Sequence, residues 1–135
     1  MGSNIDPAAH LRQAAEALRA QFGVVRFSNV YRSAAVGMDG DDFYNACCLI
    51  ETEMTQSALR DWLKGQEDRQ GRDRSAGSWK PRTIDLDILI YGDAVVDDEL
   101  YRYAHAFVPA AELLPELAAR DQRSDQSLTL IDLRL

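Results

Sequence analysis

The chain has 135 residues, 46% of them hydrophobic and 27% charged, and carries a net charge of −7. This is the composition of one ordinary globular domain, and its acidic balance argues against a nucleic-acid partner, because binding a polyanion needs a broad basic surface. No apolar run approaches membrane-spanning length and no signal peptide is visible, so a cytoplasmic protein with no membrane partner is expected.

The first predicted element is a helix. Asp6-Pro7 reads as N-cap and first helical residue, and Leu11, Ala14, Leu18 and Phe22 keep one apolar stripe until Gly23 ends it. Residues 24–31 read as a strand, 37–42 as a loop and 43–52 as a second strand. Cys47 and Cys48 are neighbours on that strand, so they point to opposite faces and cannot easily share a metal or an ordinary disulfide; they read as small core residues. Thr55 is placed to cap a second helix in which Leu59, Trp62 and Leu63 face inward and which closes near Gly71. An Arg-rich loop leads to an acidic strand. Beyond it come a turn at Gly92-Asp93, a strand around 104–108, a short helix near 110–114, and a polar tail ending in 128–135. Alternating elements without repeats give an α+β pattern, a single domain spanning the whole chain.

The acidic strand is the most informative segment. Strand side chains alternate, so Thr83, Asp85, Asp87, Leu89 and Tyr91 project one way while Ile84, Leu86, Ile88 and Ile90 project into a core. Two carboxylates roughly 7 Å apart by the strand repeat form half of a hard-cation site. Mg²⁺ typically takes one or two carboxylates and leaves its other positions to water and substrate phosphate. An isolated Asp-x-Asp is more often a solvated edge, but the residues upstream change that weighing. Between 64 and 82 stand Lys64, Arg69, Arg72, Arg74, Lys80 and Arg82, against only Glu67, Asp68 and Asp73. Guanidinium forks beside a divalent ion are the usual apparatus for a transferring phosphoryl group.

At this point the chain resembles the 6-hydroxymethyl-7,8-dihydropterin pyrophosphokinases of folate biosynthesis. Their Trp-x-Pro-Arg-Thr-hydrophobic-Asp-hydrophobic-Asp motif stands at 79–87, with Lys80 where glycine is usual, and a Gly-Arg-x-Arg stands at 71–74. Tyr31-Arg32-Ser33-Ala34-Ala35-Val36-Gly37 is similar to the family's Tyr-x-Thr-x-Pro-x-Gly loop, Phe43-Tyr44-Asn45 to its aromatic-x-Asn element, and Gly2-Ser3-Asn4 to its first motif. The resemblance implies a ferredoxin-like antiparallel sheet with helices packed on it. The family also carries a central strand just before Gly-Ser-Asn, whereas Met1 stands directly on that motif here. The expectation is therefore a domain N-terminally truncated relative to the family, its first central strand missing unless an upstream segment, residues 128–135 or a second chain supplies it.

The activity implied is transfer of diphosphate from ATP to the pterin's hydroxymethyl oxygen, releasing AMP. Asp85 and Asp87 would hold two Mg²⁺ ions, and Arg72 and Arg82 would act with them as catalytic residues on the transferred group. ATP would be bound by Glu67, Arg72, Arg74, Trp79, Arg82 and Ile88. The pterin, a flat ring with an amide-like edge, would stack on Phe43, meet Asn45, and touch the backbone of Ser33, Ala34 and Val36. Downstream the agreement weakens, since the segment after Gly92 is short and lacks the family's Pro-His. Alignment through Pro109 puts His105 at the second stacking position, whereas alignment on the Phe-Val pair puts Phe107 there, and both would share one strand face. A monomer is expected. Two competing readings remain, a degenerate member that binds nucleotide or pterin without catalysis and a ferredoxin-like interaction module.

Overall fold

The computed structural model describes residues 1–34, 42–71, 83–119 and 128–135. Helix α1 (Pro7–Phe22) follows its apolar spacing, burying Leu11, Ala14, Ala15 and Leu18. It stops at Gly23, whose φ of 78° lets its N–H turn back to the Arg19 carbonyl. Asp6 departs from the expected cap: its φ is 40° and its side chain makes no capping bond among the described residues. Helix α2 (Gln56–Arg69) starts as predicted, with Thr55 Oγ1 accepting the Ala58 N–H at 3.1 Å. Leu59 and Leu63 are buried, and Trp62 meets Phe22 of α1 edge to face at 5.1 Å.

Each predicted early strand is divided in two. The first gives β2 (Arg26–Phe27) and β3 (Val30–Ser33), the second β4 (Phe43–Asn45) and β5 (Cys48–Leu49). The break has a side-chain cause. Ser28 Oγ accepts the Cys47 N–H at 2.9 Å and donates to the Asn29 carbonyl at 2.8 Å, so a hydroxyl stands where a ladder partner would otherwise be.

The four-stranded antiparallel sheet has the order β1-β4-β3-β8, with β1 at Gly2–Ser3 and β8 at Thr129–Ile131. On its other side Gly2 exchanges two backbone hydrogen bonds with Asp85, of 2.7 and 3.0 Å. The Met1 ammonium donates to the Ala46 carbonyl at 2.7 Å. Residues 1–3 thus run between β4 and the acidic stretch, while the 128–135 tail lies against β3 at the far end of the sheet. Beside Met1 a cavity of about 140 Å³ is lined by apolar side chains, among them Leu18, Leu59, Leu86 and Leu113, between residues 48–50 and 88–90.

The acidic segment keeps its alternation without being one long strand. Ile84 and Leu86 are buried, Asp85 is half-buried and Asp87 exposed. Regular pairing resumes only at β6 (Ile90–Tyr91), which forms a hairpin with β7 (Ala94–Val95) through Gly92 at φ 62°. One core cluster, including Leu11, Leu18, Leu63, Ile84 and Leu86, lies between the sheet and α1 and α2. A second gathers Cys47, Leu100, Phe107, Ala110 and Leu113 with α3 (Glu99–Arg102) and α4 (Ala104–Leu113). Cys47 belongs to the second cluster and Cys48 packs against the first, so the adjacent cysteines serve opposite faces as read from the sequence.

The strand expected around 104–108 is instead the first half of α4. Ala104, Ala106, Ala110 and Ala111 are strong helix formers, and the Tyr103 carbonyl accepts both the Ala106 and Phe107 N–H groups. Pro109 sits inside the helix at the expense of one backbone bond. Glu112 ties this helix to the sheet: its carboxylate accepts the Asn29 N–H at 2.8 Å, the Asn29 amide at 3.2 Å and the Tyr31 hydroxyl.

Burial and then the Glu112 carboxylate push the Tyr31 phenol from its ordinary 10.0 up to about 12. A raised pKa favours the neutral form in the fold, so this stabilisation is whole below the unfolded value and is lost as pH rises through about 12. In an absorbance titration of the five tyrosines, one late ionising step is expected, and Tyr31→Phe should remove it. A titration without that step would disprove the Tyr31–Glu112 tie.

Candidate active site

Gly2 is the hinge of the site because two candidate clusters meet at it. Its backbone pairs with Asp85 on one side and with Asn45 on the other. A Cβ at Gly2 would lie 3.0 Å from Asn45 Oδ1 and 3.7 Å from Phe43 Cδ1, so glycine leaves the room in which those two side chains stand together. Asn45 is buried and donates through Nδ2 to Ser33 Oγ at 2.8 Å. Ser33 is also buried, whereas Ala34 is exposed and Phe43 half-buried. An amide held in one orientation beside a partly open ring can receive a flat heterocycle with a hydrogen-bonding edge.

Across Gly2 lies the acidic stretch. Residues that exchange backbone bonds sit one strand spacing apart, so the Asn45 and Asp85 backbones are roughly 10 Å from each other across β1. Asp85 and Asp87 share the face opposite Ile84 and Leu86. Thr83 follows the same alternation, and its Oγ1 is buried with no hydrogen-bond partner among the described residues. Glu99 lies within electrostatic reach: burial, followed by Asp97, Asp87 and Asp85, pushes its carboxyl upward. No group of three or more metal-ligating side chains gathers among the described residues. Oxygen-only donors, two carboxylates on one face and an orphaned hydroxyl beside them are consistent with a hydrated dication carrying phosphate.

Glu67, placed by sequence among the nucleotide contacts, is fully buried, and its carboxylate accepts the Leu86 N–H at 2.6 Å. Lys64, read from sequence only as part of the local positive charge, reaches Glu67 at 3.1 Å and Asp87 at 3.0 Å. The signal for it was the i, i+3 spacing to Glu67 on α2, but Asp87 as a partner is 23 positions away and carries no local mark. Ile88 is half-buried against the first core cluster. The correction to α4 changes the far side of the site. His105 and Phe107 do not share a strand face; His105 stacks on Tyr103 at 5.1 Å, and Phe107 is buried in the second core cluster. Arg72, Arg74, Trp79, Arg82 and Val36 lie outside the described residues.

The model of the 7,8-dihydro-6-hydroxymethylpterin-pyrophosphokinase family matches residues 1–115. A 2-amino-4-hydroxy-6-hydroxymethyldihydropteridine pyrophosphokinase of Methylorubrum extorquens is 38% identical over 144 aligned positions, covering 98% of this chain and 90% of the relative. The enzyme of the same name from Haemophilus influenzae is 37% identical over 78% of this chain and 68% of its own length. That from Synechocystis is 32% identical over 95% and 70%. The family model and the relatives define an ATP-dependent diphosphotransferase. The chain belongs to the 7,8-dihydro-6-hydroxymethylpterin-pyrophosphokinase family.

Proposed function

We propose that this chain transfers diphosphate from ATP to 6-hydroxymethyl-7,8-dihydropterin in folate biosynthesis, giving AMP and the pterin diphosphate, with Asp85 and Asp87 as its metal-binding carboxylates. The observation that carries the reading is the position of Gly2, bonded to Asp85 on one side and contacted by Asn45 and Phe43 on the other. A pterin seated on the second group points its hydroxymethyl arm toward the first. Two Mg²⁺ ions bound with ATP would supply charge neutralisation along the triphosphate and polarise the β-phosphorus. Asp85 and Asp87 orient the bound triphosphate, and the half-burial of Asp85 reduces competition from water. Arg72 and Arg82 bind the transferred group and the leaving phosphate, and Arg74 and Trp79 hold the nucleotide with Glu67 and Ile88. Phe43 stacks on the pterin while Asn45 and the backbone of Ser33, Ala34 and Val36 read its edge. The second stacking position is assigned to His105, since Phe107 is buried in the second core cluster.

The sheet is read as ferredoxin-like, with Gly2–Ser3 between β4 and the acidic stretch. The domain acts as a monomer in the cytoplasm; among the described residues no helix is long and apolar enough to cross a membrane.

The test is AMP release from ATP on adding 6-hydroxymethyl-7,8-dihydropterin. Release supports the enzyme, binding without release the degenerate member, and no Mg²⁺-dependent ATP binding the interaction module. Phe43→Ala and Asn45→Ala are expected to weaken pterin binding, by on the order of 1 kcal/mol for the lost stacking, with little change in ATP affinity. Calorimetric titrations showing equal losses for both ligands would move the pterin pocket elsewhere.

A further inference from the structure

We infer that Lys64 is a positioning residue for the nucleotide site, acting through Asp87 and the peptide of Leu86; the inference rests on the reading of Asp87 as a metal ligand. Its Nζ lies 3.0 Å from Asp87 Oδ1, 3.0 Å from the Leu86 carbonyl and 3.1 Å from Glu67 Oε2. An ammonium has three donors, and these three oxygens can take them all.

The arrangement replaces a neighbouring strand. In an extended chain the N–H and C=O of one residue point the same way, and those of the next residue point to the other side. Asp85 turns its pair toward Gly2, at 2.7 and 3.0 Å. Leu86 turns its pair toward α2, where Glu67 accepts the N–H at 2.6 Å and Lys64 donates to the C=O at 3.0 Å. Two side chains one helical turn apart thus do the pairing that another backbone would do. The acidic stretch is held on one side by β1 and on the other by the Lys64–Glu67 couple.

The Asp87 side chain is 48% exposed. Lys64 holds one of its two carboxylate oxygens and so fixes the direction of the carboxylate. A lysine beside a metal ligand would ordinarily repel the cation. Here the carboxylate of Glu67, with no exposed surface, stands 3.1 Å from the same Nζ and offsets that charge. Orientation is retained while most of the repulsion is cancelled.

A double-mutant cycle tests the role, with α,β-methylene-ATP as probe in calorimetric titrations at low and saturating Mg²⁺. Lys64→Gln is expected to weaken Mg²⁺-dependent nucleotide binding by about tenfold or more, the usual effect of losing a group that orients a metal ligand. In an Asp87→Asn background the same change should have almost no effect, because the residue through which Lys64 acts is gone. Equal losses in both backgrounds, or none in either, overturn the inference. An Asp87→Asn variant that binds the Mg²⁺-nucleotide like the parent overturns the metal reading beneath it, which is a different result. If Lys64→Gln alone does not fold, the cycle is run in a Glu67→Gln background, where adding Lys64→Gln removes the buried charge and its counterion together.

Discussion

Asp87→Asn is expected to lower turnover about a thousandfold while leaving the unfolding temperature close to the parent's, and Asp85→Asn to do the same. The size follows from losing one anionic ligand of a dication that stabilises several kcal/mol of developing charge, each ~1.4 kcal/mol being tenfold in rate. Asparagine keeps the volume and one oxygen, so packing is not the variable. Asp87 is exposed and Asp85 is tied to Gly2 through its backbone rather than its carboxylate, so neither change reaches the core. AMP release at saturating Mg²⁺, measured beside circular dichroism, separates chemistry from folding. Near-parent turnover in either variant would show that the carboxylate concerned does not serve the metal.

Glu67→Ala should have the largest effect on stability. Its fully buried carboxylate accepts the Leu86 N–H at 2.6 Å and balances Lys64. Truncation strands a buried backbone donor, at about 1–3 kcal/mol, and removes a partly buried ion pair besides. A total of about 3 kcal/mol is a large share of the roughly 5–15 kcal/mol that holds a domain together, and corresponds to a fall of about 10 °C in Tm. Activity should fall as well, since Leu86 separates the two aspartates. Glu67→Gln keeps an acceptor and should lie between. Thermal unfolding of Glu67→Ala at the parent temperature would show that the acidic stretch is held without this strut.

What the sequence made legible was mostly local and periodic. The helix stripe of Leu11, Ala14 and Leu18, the Thr55 cap and the alternation of Ile84, Asp85, Leu86 and Asp87 follow from spacing alone. The same rule assigned Cys47 and Cys48 to opposite faces. The segment 104–108 is helix rather than the expected strand because its alanines favour helix, continuous with the short helix expected at 110–114. The broken strands were hidden for another reason: Ser28 Oγ takes a hydrogen bond from Cys47, 19 positions along the chain, and no window of neighbours displays such a partner. Lys64 and Glu112 were missed in the same way, their partners being brought to them by the fold. For the site, motif order pointed to the acidic pair and the aromatic-x-Asn element, but only the sheet revealed that one glycine separates them.

That glycine has a consequence for how the molecule comes into being. The contacts that build the site join the second residue to position 45 and to position 85, and the strand at 30–33 to the one at 129–131. None of these contacts is local, and each must close a long loop before it returns any energy. Chains dominated by such contacts fold slowly, whereas their helices form early from neighbouring residues. The reaction centre is therefore a late product of folding. While the chain is being synthesised, Gly2 waits for a partner more than eighty positions behind it to emerge.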